Sequence, residues 1–200
     1  MNATEVLAQA VERHHPRLVM LCSFQKEESV LVDELVKLAP DVRIVTIDTG
    51  VLFPETLATW KAFEERFGVD IDIEDATGDW TGPANCCGER KVAALERALG
   101  GVDAWITGIR RDQAPTRANA RKMEWDEKFS LWKANPLADW TAERVWQHIR
   151  AHGLPYNPLH DRSYPSIGCT YCTRPVQAGE DPRAGRWSGF AKTECGLHRA

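Results

Sequence analysis

Six cysteines lie unevenly along the 200 residues, and their spacing raises the first chemical question. Cys86 and Cys87 are adjacent, Cys169 and Cys172 share the segment GCTYC, Cys195 stands in ECGLH close to the end, and Cys22 is alone in an apolar run. Two pairs of thiolates form a ligand set for zinc or for an iron–sulfur cluster, and ligand number does not separate the two. The tandem pair favours a [4Fe–4S] cluster. Neighbouring side chains reach two irons of a cubane more comfortably than they bend back to one tetrahedral ion. Cys22 reads as a small core residue. Cys195 belongs to neither pair: a structural cysteine belongs in a core and a free surface cysteine is a chemical liability, so its place in a short tail demands a reason.

The elements that must position these residues follow from composition and periodicity. A 43% hydrophobic chain of this length buries one sizeable core. The net charge of −4 argues against a general nucleic-acid binder, although basic residues cluster locally in GIRRDQAPTRANARK, residues 108–122. No stretch approaches the roughly 20 apolar residues of a membrane span, and the polar, amphipathic start MNATEVLAQAVERHH lacks the apolar stretch of a signal peptide. A cytoplasmic location is expected, with thiols kept reduced. Metal ligation or catalysis then explains the cysteines better than a disulfide framework.

RLVMLCSF (17–24), VRIVTIDTG (42–50), VDIDIED (69–75) and DAWITG (103–108) read as strands. Between them, EESVLVDELVKLA, the run from Pro54 to Gly68, and ERKVAALERALG (89–100) carry helical spacing. This alternation predicts an α/β fold with a mostly parallel twisted sheet covered by helices on both faces. KMEWDEKFSLWKANPL reads as a β-ribbon, TAERVWQHIRAHG (141–153) as a helix ending at glycine, and the prolines and glycines from Leu154 onward as irregular chain. Parallel sheets bind ligands beyond the carboxyl ends of their strands. The loops there are SFQKEES, DTGVLFPE and TGIRRDQAPTR, and they carry the hydroxyls, glycines and arginines that a phosphorylated nucleotide requires. His14 and His15 end a helix and read as dipole caps. His148 and His152 are one helical turn apart, as metal ligands can be, but with no further ligand evident they read as a plain helix face.

The arrangement CCGERK, GCTYC and ECGLH, together with SFQKEES, DTGVLFPET, TGIRRDQ and GEDPRAGRW, resembles the assimilatory sulfonucleotide reductases, specifically the bacterial adenylyl-sulfate (APS) reductases. The likeness spans nearly the whole chain. It implies an adenine nucleotide alpha hydrolase-like fold, with residues 1–182 forming the sulfonucleotide-binding domain and residues 183–200 an arginine-rich segment and flexible catalytic tail. It implies that Cys86, Cys87, Cys169 and Cys172 hold a [4Fe–4S] cluster that does not cycle its redox state in turnover. Cys195 would be the nucleophile that takes the sulfonate, with a thioredoxin or glutaredoxin as electron donor. Arg183 and Arg186 would contact the phosphosulfate, Arg117 is a similar candidate with Arg110 and Arg111 behind it, and Lys91 would link cluster and substrate. Ser23 serves the first phosphate loop, Asp48 and Thr49 face the adenosine with Leu52 or Phe53, and His198 assists or holds the tail. The likeness also implies a homo-oligomer, while the net charge and the lack of a long apolar run predict no nucleic-acid or membrane partner. In one respect the chain departs from the family: the first loop, SFQKEES, lacks the usual glycine.

Three other readings compete. A reductase of PAPS, the 3′-phosphorylated nucleotide, generally lacks the cluster cysteines. An ATP pyrophosphatase on the same fold requires an intact glycine-rich loop. A zinc-stabilised binding module gives Cys195 no work.

Overall fold

The computed structural model describes residues 1–78 and 88–187. Helix α1 (Ala3–His14) is started by Asn2, whose side chain accepts the Glu5 N–H while the Glu5 carboxylate accepts the Asn2 N–H, a reciprocal cap that satisfies two otherwise orphan donors. The chain continues through β1 (Leu18–Leu21), α2 (Lys26–Leu38), β2 (Arg43–Asp48), α3 (Pro54–Phe67) and β3 (Ile71–Asp75). Then come α4 (Glu89–Ala98), β4 (Ala104–Ile106), β5 (Met123–Asp126), β6 (Leu131–Ala134) and α5 (Ala142–His152). Gly68 and Gly153 close α3 and α5 in the left-handed conformation, which glycine adopts without a Cβ clash.

The strand order is β3-β2-β1-β4-β6-β5, and every neighbouring pair is parallel except β5 with β6. The expected ribbon is thus part of the main sheet, since β6 lies parallel beside β4. Side chains alternate across this sheet. Leu18, Met20, Ile44, Ala104 and Ile106 point into a core shared with α1, α2, α3 and α5. Val19, Val45 and Trp105 point the other way, onto Leu95 and Ala98 of α4 and onto Cys169, Cys172 and Trp187. Both faces are therefore covered, as the apolar character of β1 and β4 requires. On the second face the irregular C-terminal chain does part of the work of a helix, which brings its cysteines into a core.

From β1 the chain builds outward through β2 to β3, then returns to place β4 on the other side of β1. Connections leave β1 and β4 in opposite directions, and the gap between their loops is where such sheets hold ligands.

Candidate active site

A cleft of about 630 Å³ opens at this gap, a volume suited to a small ligand. Its floor is the loop after β1, and that loop solves its turn in an unusual way. Phe24 has φ of +58° and is buried, its ring stacked on Trp60 at 5.4 Å and set edge-on to Phe63 at 5.6 Å. A left-handed conformation costs a side-chain-bearing residue about 1–2 kcal/mol. Here aromatic packing holds the turn that a glycine makes freely.

The first turn of α2 is packed with charge. Lys26, Glu27 and Glu28 are all buried. The Glu28 carboxylate accepts the Gln25 N–H at 2.9 Å and the Ser23 hydroxyl at 3.3 Å. Burial, reinforced by the neighbouring Glu27, raises its pKa to about 8. Burial works against Glu27 as well, but Lys26 at 3.5 Å and Arg110 at 2.9 Å, with His160, outweigh it and hold that carboxyl below the usual range. His160 Nδ1 donates to the Tyr164 carbonyl at 2.8 Å, so Nε2 is free to accept the Lys26 N–H at 3.2 Å. Burial, then the nearby Lys26 charge, lowers the pKa of His160 to about 4 and keeps this neutral tautomer. The leading amides of the helix are thus taken by Glu28 and His160.

Cationic side chains stand around the rest of the cleft, which Lys91, Arg110, Arg117, Arg183 and Arg186 all line together with Ser23. Arg110 is almost wholly buried; besides Glu27 it bonds Asp112 and the Trp140 carbonyl, so its charge is committed to the scaffold. Arg117 donates to Gln113 at 2.6 Å. Arg183 and Arg186 both lie over the Trp187 ring, at 5.4 and 4.6 Å. Arg186 donates from one terminal nitrogen to Ser166 and the Ile167 carbonyl, and its buried Nε has no hydrogen-bond partner among the described residues. Its guanidinium rests on Gly168, where any Cβ would come within 2.7 to 3.0 Å of it. Arg111 and Asp48 fall outside the cleft lining. The first donates to the Ala120 carbonyl, and the second accepts the Gly50 N–H at 2.7 Å as a local turn.

The adjoining residue to Gly168 is Cys169. Cys169 and Cys172 are both buried, and Cys169 also borders the cleft. The Thr49 hydroxyl lies 3.2 Å from the Cys169 sulfur. Trp187 donates its backbone N–H to the Cys172 carbonyl, and its buried indole Nε1 has no partner among the described residues. Val92 and Leu95 of α4 pack into the same apolar cluster, and that helix begins directly after Gly88. Cys86, Cys87, Cys195 and His198 lie outside the described residues. Leu52 lines the cleft, whereas Phe53 packs on Tyr164. Cys22 is buried in the core at the edge of the cleft, and burial pushes its thiol pKa well up.

A mostly parallel sheet with a cationic cleft at its switch point defines a nucleotide-binding α/β protein of the adenine nucleotide alpha hydrolase type. Within that class, residues 17–175 match the family described as "Phosphoadenosine phosphosulfate reductase domain", and the chain belongs to this family. It is 44% identical to the adenosine 5′-phosphosulfate reductase of Staphylococcus haemolyticus, over 100% of this chain and 88% of that protein. It is 43% identical to the phosphoadenosine 5′-phosphosulfate reductase of Gloeobacter violaceus, over 96% of this chain and 87% of that one. Among solved structures it resembles the phosphoadenylyl-sulfate reductase of Candida auris in its phosphate complex, with TM-score 0.73 and 27% identity over 87% of this chain and 91% of that one.

Proposed function

We propose that the protein is a thioredoxin-dependent reductase of adenylyl sulfate in sulfate assimilation. The observation that carries this reading is the junction at Gly168, where the arginine of the cleft and the loop of the cysteine pair are packed into one unit. An oxyanion ligand in the cleft thereby meets the same scaffold that a cluster would order.

Arg186 and Arg183 bind the phosphosulfate from one side of the cleft and Arg117 from another, with guanidinium forks matched to planar oxyanion pairs. The unpartnered Arg186 Nε is a donor kept dry for such a ligand. The thiolate of Cys195 attacks the sulfate sulfur. An S–S bond forms, the S–O bond to the phosphate breaks, and AMP leaves with the electron pair. A dithiol of thioredoxin class then supplies two electrons: its thiolate takes the cysteine sulfur, sulfite departs, and the second thiol restores Cys195 as the donor becomes a disulfide. Cys195 thus meets first the nucleotide and then the electron donor.

The donor set fits a [4Fe–4S] cluster. Cys169 and Cys172 are a buried pair in an apolar shell, and Trp187 Nε1 is an unpartnered buried donor in that shell. Cys86 and Cys87 directly precede Gly88, the first described residue before α4. When bound, the cluster supplies a fixed centre of charge that orders the start of α4 against the cysteine loop. Lys91, on the first turn of α4 and at the cleft, is the chain's own link between the two.

Use of PAPS is the second reading, because relatives of nearly equal identity carry the two names. A homo-oligomer is supported by Trp125 and Trp132, exposed and packed edge to face at the β5 edge of the sheet. No helix among the described residues is long and apolar enough to cross a membrane.

Steady-state sulfite release with thioredoxin, measured on both nucleotides, tests the proposal. Adenylyl sulfate should be the better substrate by kcat/KM, and Cys195→Ser should abolish turnover with either. Sulfite release that persists in Cys195→Ser would end the proposal.

A further inference from the structure

Between α2 and α5, outside the cleft lining, a second group of side chains converges that the reductase chemistry does not use. His148 and His152 occupy successive turns of α5, their rings stacked at 4.3 Å. Facing them from α2 is Asp33, and one ligand atom from each of the three residues lies within 4.8 Å of the other two. His148 Nε2 is buried, has no hydrogen-bond partner among the described residues, and stands 3.9 Å from both Asp33 Oδ2 and Glu34 Oε1. Thr4 of α1 holds the other Glu34 oxygen at 2.9 Å.

A cation already marks the spot. Lys37 Nζ is 2.7 Å from Asp33 Oδ2 and 3.4 Å from Glu34 Oε1, on a side chain that is 54% exposed and able to swing out. The ammonium neutralises the carboxylates, and His148 Nε2 keeps no hydrogen-bond partner among the described residues. A metal ion would satisfy both the carboxylate and the ring nitrogen. We propose that Asp33, His148 and His152, with Glu34 beside them, form a site for a borderline divalent ion such as Zn²⁺. Two imidazoles four residues apart on one helix with one carboxylate are a donor set for this ion. Tetrahedral zinc with bonds near 2.0–2.1 Å needs donor atoms about 3.3 Å apart. Asp33 Oδ2 and His148 Nε2, 3.9 Å apart, would have to draw closer, and His152, exposed at the end of α5, is free to move in towards them. The ion would join α2, whose first turn lies at the cleft, to α5, whose Trp146 also lines it.

Zinc also binds thiolates, so the test is a comparison between variants in which the cysteines are constant. Zn²⁺ is titrated by calorimetry into the anaerobically purified full chain, as wild type, His152→Ala and Lys37→Ala. The wild type should show one equivalent whose dissociation constant weakens by about tenfold or more in His152→Ala, as loss of a ligand requires. Lys37→Ala, which removes the competing ammonium, should bind more tightly than the wild type. Zn²⁺ should also raise the melting temperature of the wild type but not of His152→Ala, because an ion that binds only the native state stabilises it. Identical isotherms for wild type and His152→Ala would overturn the proposal, and so would weaker binding in Lys37→Ala.

Discussion

Replacing Phe24 separately by alanine and by glycine distinguishes the two forces on the loop after β1. Either change removes a ring that is only 1% exposed and in contact with Trp60 and Phe63. Loss of a buried phenylalanine to alanine costs about 3–5 kcal/mol. The alanine variant keeps the strain of φ +58°, whereas glycine adopts that angle without a Cβ clash and recovers about 1–2 kcal/mol. The glycine variant gives back part of this through its greater freedom when unfolded, so it should be the more stable of the two by about 1 kcal/mol. For a chain of this size that is roughly 2–4 °C in melting temperature. The assay is thermal unfolding followed by far-UV circular dichroism, on preparations of equal iron content. At ordinary helix or strand positions alanine is the more stable of the pair. If alanine also wins here, Phe24 is not held left-handed in solution and the account of the loop fails.

Other perturbations read other parts of the site. Gly168→Ala should displace the Arg186 guanidinium, because the new Cβ would lie 2.7 to 3.0 Å from it; kcat/KM for adenylyl sulfate should fall by about tenfold or more, with circular dichroism unchanged. On the proposed [4Fe–4S] cluster, Cys172→Ala should bring iron content from about four per chain towards zero, with loss of the brown absorbance the cluster would give. Glu28 gives a pH signature: its native pKa, about 8, lies above the ordinary 4.5, so its stabilising contribution is complete below pH 4.5 and is lost as pH rises through 8. In Glu28→Gln the urea midpoint should therefore fall less between pH 5 and 8 than in the wild type, and an unchanged slope would contradict the buried, protonated carboxyl.

Much of this architecture was legible because it depends on local rules. Pro54 and Gly68 bound a helix by their own backbone preferences, and Gly153 ends α5 for the same reason. The apolar character of β1 and β4 announced a sheet buried on both faces. What stayed hidden depends on distant partners. Nothing local to Phe24 marks it as left-handed, since its strain is offset by α3 residues far along the chain. His160 drew no attention in a proline-rich stretch, yet it accepts a hydrogen bond from Lys26 N–H, a partner on α2. Asp33 faces His148 only because α2 and α5 pack on one side of the sheet, so the histidine pair read as a bare helix face. Asp48 ends β2, and one of its carboxylate oxygens accepts the Gly50 N–H of the adjacent turn. The cleft arginines were legible as types; the packing of Arg186 on Gly168 was not, because it joins segments that no periodicity connects.

The most direct test of the central claim is mass spectrometry of the C-terminal peptide after anaerobic incubation of the protein with adenylyl sulfate, without any reductant. A sulfonate on Cys195, formed with adenylyl sulfate and much less with PAPS, is the predicted result. An unmodified Cys195 in protein of full iron content would contradict the mechanism.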